Sequence, residues 1–300
     1  MDAVLVTRSV YSFAELSVSP VLRRKWSSIY EAIQDGIPPR TELMKLYIKQ
    51  LSSREQIVLA GDHTAWARLD ARTLRERTFE HQAHPMSGAK PVTVGQGYST
   101  IAIIPETEVN DSKMGRMCIR LWCNLHFQQS AKHSMNLIQI QRTGELGEPK
   151  TKPLWLVWVG ISMPALCQLW RLYFRRFAID HWYRFAKQRL HWTLPNLSTP
   201  EQSERWSDLL PLMTWQLWLA RDFVTDNPLP WQKPKPKLSP GRVAQAMGEI
   251  FAAIGTPAVP PKPRGKSPGW TEGQTRTRKI RYPTVKKSTP KPKKQVPQSA

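Results

Sequence analysis

The hydrophobic periodicity of the chain changes at Pro164, and this change constrains the fold more than any other feature. Before it, apolar and β-branched runs are short and bounded by turn residues, as in RMCIRLWCNLHF, MNLIQIQR and PLWLVWVG. After it, PALCQLWRLYFRRFAIDHWYRFAKQRL has no proline or glycine beyond its first residue, which favours a long helix. The sequence therefore predicts a fold that combines strands with helices.

The flanking segments follow the same two patterns. The first 55 residues contain two helical stretches, SSIYEAIQDG and RTELMKLYIKQL, separated by Pro38 and Pro39. REQIVLAGDHT is predicted to be a buried strand that delivers a carboxylate at its end, Gly61-Asp62, and PVTVGQGYSTIAIIPE to be a further pair of strands.

Three helices are predicted towards the C-terminus. The long helix should begin at Pro164, with Ser162 as its N-cap. EQSERWSDLLPLMTWQLWLARDFV should follow Thr199-Pro200, with Pro211 kinking it or shifting its boundary. PGRVAQAMGEIFAAIG should end at Gly255, a typical position for a C-cap glycine.

The charge of the chain is strongly unbalanced. Lys and Arg number 44 against 23 Asp and Glu, which gives a formal net charge of +21 in 300 residues. A core needs no such excess, whereas phosphates release condensed counterions when Lys and Arg neutralise them, so nucleic acid is the leading partner.

The cations are densest at the C-terminal end. Residues 257–300 hold 12 Lys and Arg, one acid and nine prolines, which predicts a disordered basic tail. The tail either only solubilises the protein or contacts phosphates, interleaved with Trp270 and Tyr282. Its candidate DNA-binding residues are Lys262, Arg264, Lys266, Arg276, Arg278, Lys279, Arg281, Lys286 and Lys287.

Other classes of protein find little support. The longest apolar run, at 153–160, is far shorter than the roughly 20 residues of a membrane-spanning helix, so no membrane partner is expected. Asp2 and the lack of a basic segment before a long apolar stretch argue against a signal peptide. The three cysteines and seven histidines follow no zinc-site spacing, and we expect reduced thiols in a cytoplasmic protein.

A polar stripe runs along the predicted long helix. At about 100° per residue its members fall within about 40° of one line: Tyr173, Arg176, Asp180, Arg184 and Lys187. The remaining circumference is mostly apolar or aromatic, so an acid in this stripe needs a partner. Asp180 either pairs with Arg176 and Arg184 one turn away, or it faces a metal ion while the cations face phosphates.

This spacing resembles the Y-R-E-K signature of one branch of the DDE transposases of bacterial insertion sequences, with Asp180 in place of the glutamate. Further segments resemble the same family, in family order and over most of the chain: LAGDHTAW, KPVTVGQGYSTIAIIPE, LWCNLHF, HWYRFAKQRLHWTLP and GTPAVPPKPRGKSPGW. The resemblance implies an α/β fold with a ribonuclease H-like core, a β-rich insertion and a helical C-terminal part. In such a core three carboxylates hold two Mg²⁺ ions for DNA strand cleavage and transfer.

The resemblance also implies roles for single residues. Asp62 matches the first catalytic acid and metal ligand, and Asp180 matches the third. Tyr173, Arg176 and Lys187 match residues that position DNA phosphates, and Arg184 lies in the same stripe. Without the resemblance, Asp62 reads as a strand-end aspartate that caps a turn. Its neighbour His63 is expected to be a solvated or hydrogen-bonded loop histidine rather than a ligand.

The second acid of the family pattern is missing. IIPE at Glu106 runs directly into TEVNDSKMGRM, which resembles sequence much further along the family. We infer an internal deletion between about Glu106 and Val109 that removes the second metal ligand and makes the core incomplete. The nearby acids, Glu106, Glu108 and Asp111, follow no core-strand pattern.

These inferences predict four regions and a function. Residues 1–55 form a helical segment, 56–195 a remnant core with its insertion at about 107–160, 196–256 the C-terminal helices and 257–300 the tail. The function by descent is DNA transposition, reduced here to DNA binding without catalysis in a nucleoid-associated protein. Alternatives are a non-enzymatic regulator, acting at element ends or through self-association or mixed oligomers with full-length transposase, and a general basic RNA-binding protein.

Overall fold

The computed structural model of the chain describes residues 1–7, 9–51, 57–82, 90–104, 116–128, 130–256, 259–260, 269, 271–275 and 277–286. They form a mixed α/β protein with two small antiparallel sheets, so the predicted combination of strands and helices is confirmed. The chain divides into two compact units. The first contains Met1–Ser53, Asp62–Thr100 and His181–Ala300, and the second contains Arg54–Gly61 and Ile101–Asp180.

The N-terminal part of the first unit is helical, as predicted. It contains helices α1 (Asp2–Val6), α2 (Ser27–Asp35) and α3 (Arg40–Lys49), with a 3-10 turn at Phe13–Val18. Phe13 of this turn is buried, and its ring lies 5.2 Å from that of Trp206. The aromatic contact fixes the N-terminal segment to the core of the unit.

The first sheet contains β1 (Leu59–Ala67), β2 (Thr78–His81) and β3 (Val92–Ile103) in the order β1-β3-β2. β2 runs antiparallel to β3, with Thr78 opposite Gly95. β1 and β3 approach closely at Gly95, where a Cβ atom would lie 2.0 Å from the carbonyl oxygen of Trp66. Glycine is therefore required at this position because the obstacle is backbone.

This sheet differs from the sequence prediction in three ways. Asp62 is the fourth residue of β1 and not its end, since the strand continues to Ala67. The predicted strand pair at 91–106 is one continuous strand up to Ile103, because Gly95 and Gly97 allow close approach between strands instead of forming a turn. The short strand β2 lies between the two predicted strand segments, where the sequence pattern predicts no strand.

The second unit holds the other sheet, and the three predicted strands that form it are confirmed. They are β4 (Met117–Phe127), β5 (Ser130–Arg142) and β6 (Leu154–Trp158), paired antiparallel in the order β4-β5-β6. The core of the unit is a cluster of Ile138 and Ile140 on β5 with Leu169 and Trp170 on α4 (Leu166–Arg175). Burying these side chains supplies the hydrophobic stabilisation of the unit.

The predicted long helix is two helices, α4 and α5 (Phe177–Gln188), with the break at Arg176. The backbone tightens there, since the N–H of Arg176 donates to the carbonyl of Tyr173 (3.1 Å) and that of Ile179 donates to Arg176 (3.0 Å). The residue before α4 is Ala165, which has no side-chain cap, so the prediction of Ser162 as N-cap is wrong. The polar stripe therefore does not lie on one uninterrupted helix.

Two helices close the first unit. α6 (Pro200–Ala220) begins at the predicted place, where the hydroxyl of Thr199 accepts from the N–H of Gln202 (3.2 Å). It continues through Pro211, so the predicted shift of boundary is wrong; the buried face of Trp206, Leu210, Met213 and Leu217 holds the helix together. α7 (Pro240–Ala253) ends as predicted just before Gly255, whose φ is +74°.

The prediction of a disordered tail is wrong for part of residues 277–286. The N–H of Tyr282 donates to the carbonyl of Arg72 (2.9 Å), and the N–H of Val285 donates to that of Arg77 (2.7 Å). Val285 also forms an isolated parallel bridge with Thr78, the first residue of β2. The stretch docks because backbone N–H groups of the tail pair with carbonyls of the β1–β2 connection, beside the open edge of β2, which the charge pattern does not reveal.

Candidate functional site

Asp62, the first predicted acid, is held in β1 by its surroundings. It is half-buried, and one carboxylate oxygen accepts from the backbone N–H of His63 (2.8 Å). Its carbonyl oxygen accepts from the hydroxyl of Tyr183 on α5 (2.8 Å). These two hydrogen bonds hold the backbone at Asp62 in place and tie one carboxylate oxygen to the next residue of the same strand.

Asp180, the other predicted acid, lies in the first turn of α5 and belongs to the second unit, whereas Asp62 belongs to the first. Among the described residues its carboxylate has no hydrogen-bond or ion-pair partner, so the pairing with Arg176 and Arg184 that would satisfy it is not observed.

The described residues do not supply the ligand set of a two-metal site. No group of three or more His, Cys, Asp or Glu side chains that could hold a metal ion occurs among them. The neighbouring acids Glu106, Glu108 and Asp111 lie outside the described residues, as does the inferred deletion point. The part of the chain that the structure describes therefore does not fit the paired Mg²⁺ ions implied by the resemblance.

Lys187 is committed to a structural contact. Its ammonium group donates to the hydroxyl of Thr64 (2.6 Å) and to the carbonyl of Ala65 (3.1 Å), which fastens α5 to β1. Burial lowers the pKa of Lys187, because desolvation disfavours the charged amine. The amine that was predicted to position a phosphate thus already has two partners within the protein.

The other members of the predicted stripe differ in their surroundings. The guanidinium of Arg176 lies over the rings of Tyr173 (5.2 Å) and Phe177 (5.4 Å), so Arg176 and Tyr173 pack against each other where α4 and α5 meet. Arg184 is exposed, and no described residue forms an ion pair with it.

A polar network around one buried carboxylate joins the three strands of the first sheet. The carboxylate of Glu80 on β2 is almost inaccessible, accepts from the hydroxyl of Thr78 and lies 2.8 Å from Nε2 of His63. Nδ1 of His63 lies 3.1 Å from the hydroxyl of Ser99 on β3. Because a carboxylate only accepts, Nε2–H of His63 is the donor to Glu80.

Gly97 makes room for this network, since a Cβ there would lie 2.6 Å from the His63 ring and 2.7 Å from the Glu80 carboxyl carbon. The expectation of a hydrogen-bonded histidine is confirmed, although His63 lies in a strand and not in a loop. The sequence prediction missed Glu80 because it missed β2, and it missed Ser99 because only the pairing of the strands brings Ser99 next to His63. A hydroxyl, imidazole and carboxylate in series can transfer a proton, but Ser99 does not line the cleft described next, and we assign the network a stabilising role.

An open cleft of about 520 Å³ lies where the tail docks. Its lining contains three arginines and no acid: Leu69, Arg72, Arg77, Val94, Arg281, Tyr282, Pro283 and Thr284. Arg77 is 5% exposed and donates to the carbonyls of Leu69 (3.1 Å) and Tyr282 (3.3 Å), so it places a fixed positive charge under the cleft. Arg72 and Arg281 are exposed, and neither guanidinium has a partner among the described residues.

The remaining tail cations fall into two groups. Arg278, Lys279 and Lys286 are described and exposed, on the same stretch as Arg281. Five lie outside the described residues: Lys262, Arg264, Lys266, Arg276 and Lys287. Sequence reasoning identified Arg281 but missed Arg72 and Arg77, because nothing in a β1–β2 connection indicates that a distant segment will dock on it.

Within the described part of the chain, every helix is too short or too polar to cross a membrane. The sequence matches no protein-family model and no curated protein.

Proposed function

We propose that the chain is a DNA-binding protein of transposase descent that does not cut or join DNA. The observation that carries DNA binding is charge that the protein leaves unneutralised. The net charge is +21, and exposed cations without an ion-pair partner among the described residues occur in both units: Arg24, Arg120, Arg184, Arg278, Lys279 and Arg281. Such cations gain most from a phosphate backbone, which releases counterions on binding.

Descent from a transposase is supported by the ordered motifs around Asp62 and Asp180 and by the mixed α/β architecture. A ribonuclease H-like core, incomplete after an internal deletion, is the finer fold that we propose. We propose that the chain does not transfer DNA strands because two metal ions at a phosphorus centre need more carboxylate ligands than Asp62 and Asp180 provide.

Two measurements on the full chain test this proposal. Binding to a random duplex should weaken steeply with salt, with a slope of log K against log salt near −4.5 if about five phosphates are neutralised. Tighter binding to single-stranded RNA than to duplex DNA would contradict the proposal in favour of a general RNA-binding protein.

The second measurement concerns chemistry. Duplexes ending in the inverted repeats of the flanking DNA should be neither nicked nor joined in Mg²⁺ or Mn²⁺. Metal-dependent strand transfer that disappears in Asp62→Ala would show an active enzyme and refute this part. A non-enzymatic regulator would bind those ends more tightly than random duplex, and would form mixed oligomers with full-length transposase.

A further inference from the structure

The tail stretch 281–285 is attached to the first unit through its backbone. The N–H groups of Tyr282 and Val285 donate to the carbonyls of Arg72 and Arg77, and the guanidinium of Arg77 donates back to the carbonyl of Tyr282 (3.3 Å). None of these bonds uses a tail side chain, so the tail cations remain available for a ligand.

The cleft is lined by cations from two segments of the chain. Arg72 stands on the wall from the β1–β2 connection and Arg281 on the wall from the tail, with the charge of Arg77 beneath. No acid lines the cleft, so the three positive charges reinforce one another. Tyr282 and Pro283 add apolar surface between the charged groups.

We propose that this cleft binds backbone phosphates of duplex DNA, with Arg72 and Arg281 as the two contacting residues and the docked tail as one wall of the site. This inference rests on the proposed function, and it adds where on the protein a phosphate binds and which residues contact it. Arginine suits this role because its planar fork of N–H groups can donate twice to one phosphate.

The ligand is a polyanion and not a single carboxylate, because the positive charge continues beyond the cleft. Arg278 and Lys279 precede Arg281 on the tail and Lys286 follows it, all exposed. A duplex presents one charge per about 1.7 Å along its axis, and can meet these cations in succession while one phosphate occupies the cleft. An acidic peptide is the competing ligand.

The test compares two double variants by fluorescence anisotropy with a labelled random duplex over a range of salt. Arg72→Gln with Arg281→Gln removes the two contacting residues. Lys45→Gln with Lys49→Gln removes two exposed charges on α3, outside the cleft, and serves as the control. We expect the cleft double variant to bind at least about tenfold more weakly and to reduce the steepness of the salt slope by about 1.8, and the control to change both much less.

A third variant tests the tail as a wall of the site without changing charge. Val285→Pro removes the N–H that donates to Arg77, so Tyr282 should lose its protection from amide hydrogen exchange and DNA binding should weaken as in the cleft double variant. If this variant does not fold, as judged by its urea midpoint, the two double variants decide alone.

The possible failures are separable. A wild-type chain that does not bind DNA overturns the proposed function and this inference with it. A wild-type chain that binds DNA while both double variants behave alike overturns the cleft and leaves the proposed function standing. Polyglutamate that displaces DNA from the wild type but not from the cleft double variant would assign the cleft to acidic peptides instead.

Discussion

Replacing Gly95 with alanine is expected to lower the free energy of unfolding of the first unit by about 3 kcal/mol. The added Cβ would lie 2.0 Å from the carbonyl oxygen of Trp66 and 2.9 Å from its carbonyl carbon. Cβ atoms essentially never lie within 3.0 Å of another heavy atom, so β1 and β3 must separate by roughly 1 Å to clear the oxygen. Both obstacles are backbone atoms, and no side-chain rotation can relieve the clash.

The magnitude follows from what that separation breaks. The N–H of Arg68, a buried residue, donates to the carbonyl of Val94 next to Gly95 (2.8 Å). Losing this bond costs about 1–3 kcal/mol, and overpacking adds about 1–3 kcal/mol. Alanine restricts the unfolded chain more than glycine does, and this effect offsets the loss of unfolding free energy by about 0.4–1 kcal/mol.

Urea denaturation followed by tryptophan fluorescence measures the effect, with Gly61→Ala as the matched control. Gly61 lies in β1 of the same sheet, but a Cβ there would meet nothing within 4 Å. We expect the control to be neutral or slightly stabilising. Equal urea midpoints for Gly95→Ala and Gly61→Ala would refute the close approach of β1 and β3 on which the reasoning depends.

Three further predictions concern other parts of the first unit. Lys187→Gln should cost about 1–3 kcal/mol of unfolding free energy, because two hydrogen bonds to β1 are lost, and it should leave the salt slope of DNA binding unchanged. The control, Arg184→Gln, should leave the urea midpoint unchanged. A change of salt slope in Lys187→Gln alone would show that its amine reaches DNA. Gly248→Ala, at an exposed helical position with nothing within 4 Å of the new Cβ, should stabilise by about 1 kcal/mol, which a raised thermal midpoint would register. Burial lowers the pKa of His191, so its contribution to stability is complete above about pH 6.5 and is lost as the pH falls below that value. Urea midpoints should therefore decline less between pH 8 and 5 in His191→Asn, since asparagine tolerates the φ of +58°. The same decline in the variant as in the wild type would show that another group titrates.

The sequence was sufficient for elements whose own pattern decides their structure. The strands at 117–158 carry short apolar runs bounded by turn residues, and α2, α3, α6 and α7 carry helical spacing with recognisable ends. The hydroxyl of Thr199 and the glycine at 255 mark such ends directly. These features are local, so a single sequence reveals them.

The sequence was insufficient where distant parts of the chain decide. β2 has only four residues, and its buried Glu80 is acceptable because His63 and Thr78 satisfy it. The sequence pattern gives no reason for a glycine at position 95, whereas the close approach of the Trp66 backbone explains it. The sequence identified Asp62 and Asp180 as the candidate acids of the site. The hydrogen bond from the amine of Lys187 to Thr64 is visible only in the folded structure.

Docking of the tail also imposes an order on biosynthesis. Thr78 and Val285 are 207 residues apart, so the edge of β2 stays open until residue 285 has been made. At about 5–20 residues per second that interval lasts roughly 10–40 s on the ribosome. An open strand edge is a template for pairing with other chains. The nascent protein is therefore most prone to aggregate during this interval, and a premature stop before Val285 would make that vulnerable state permanent.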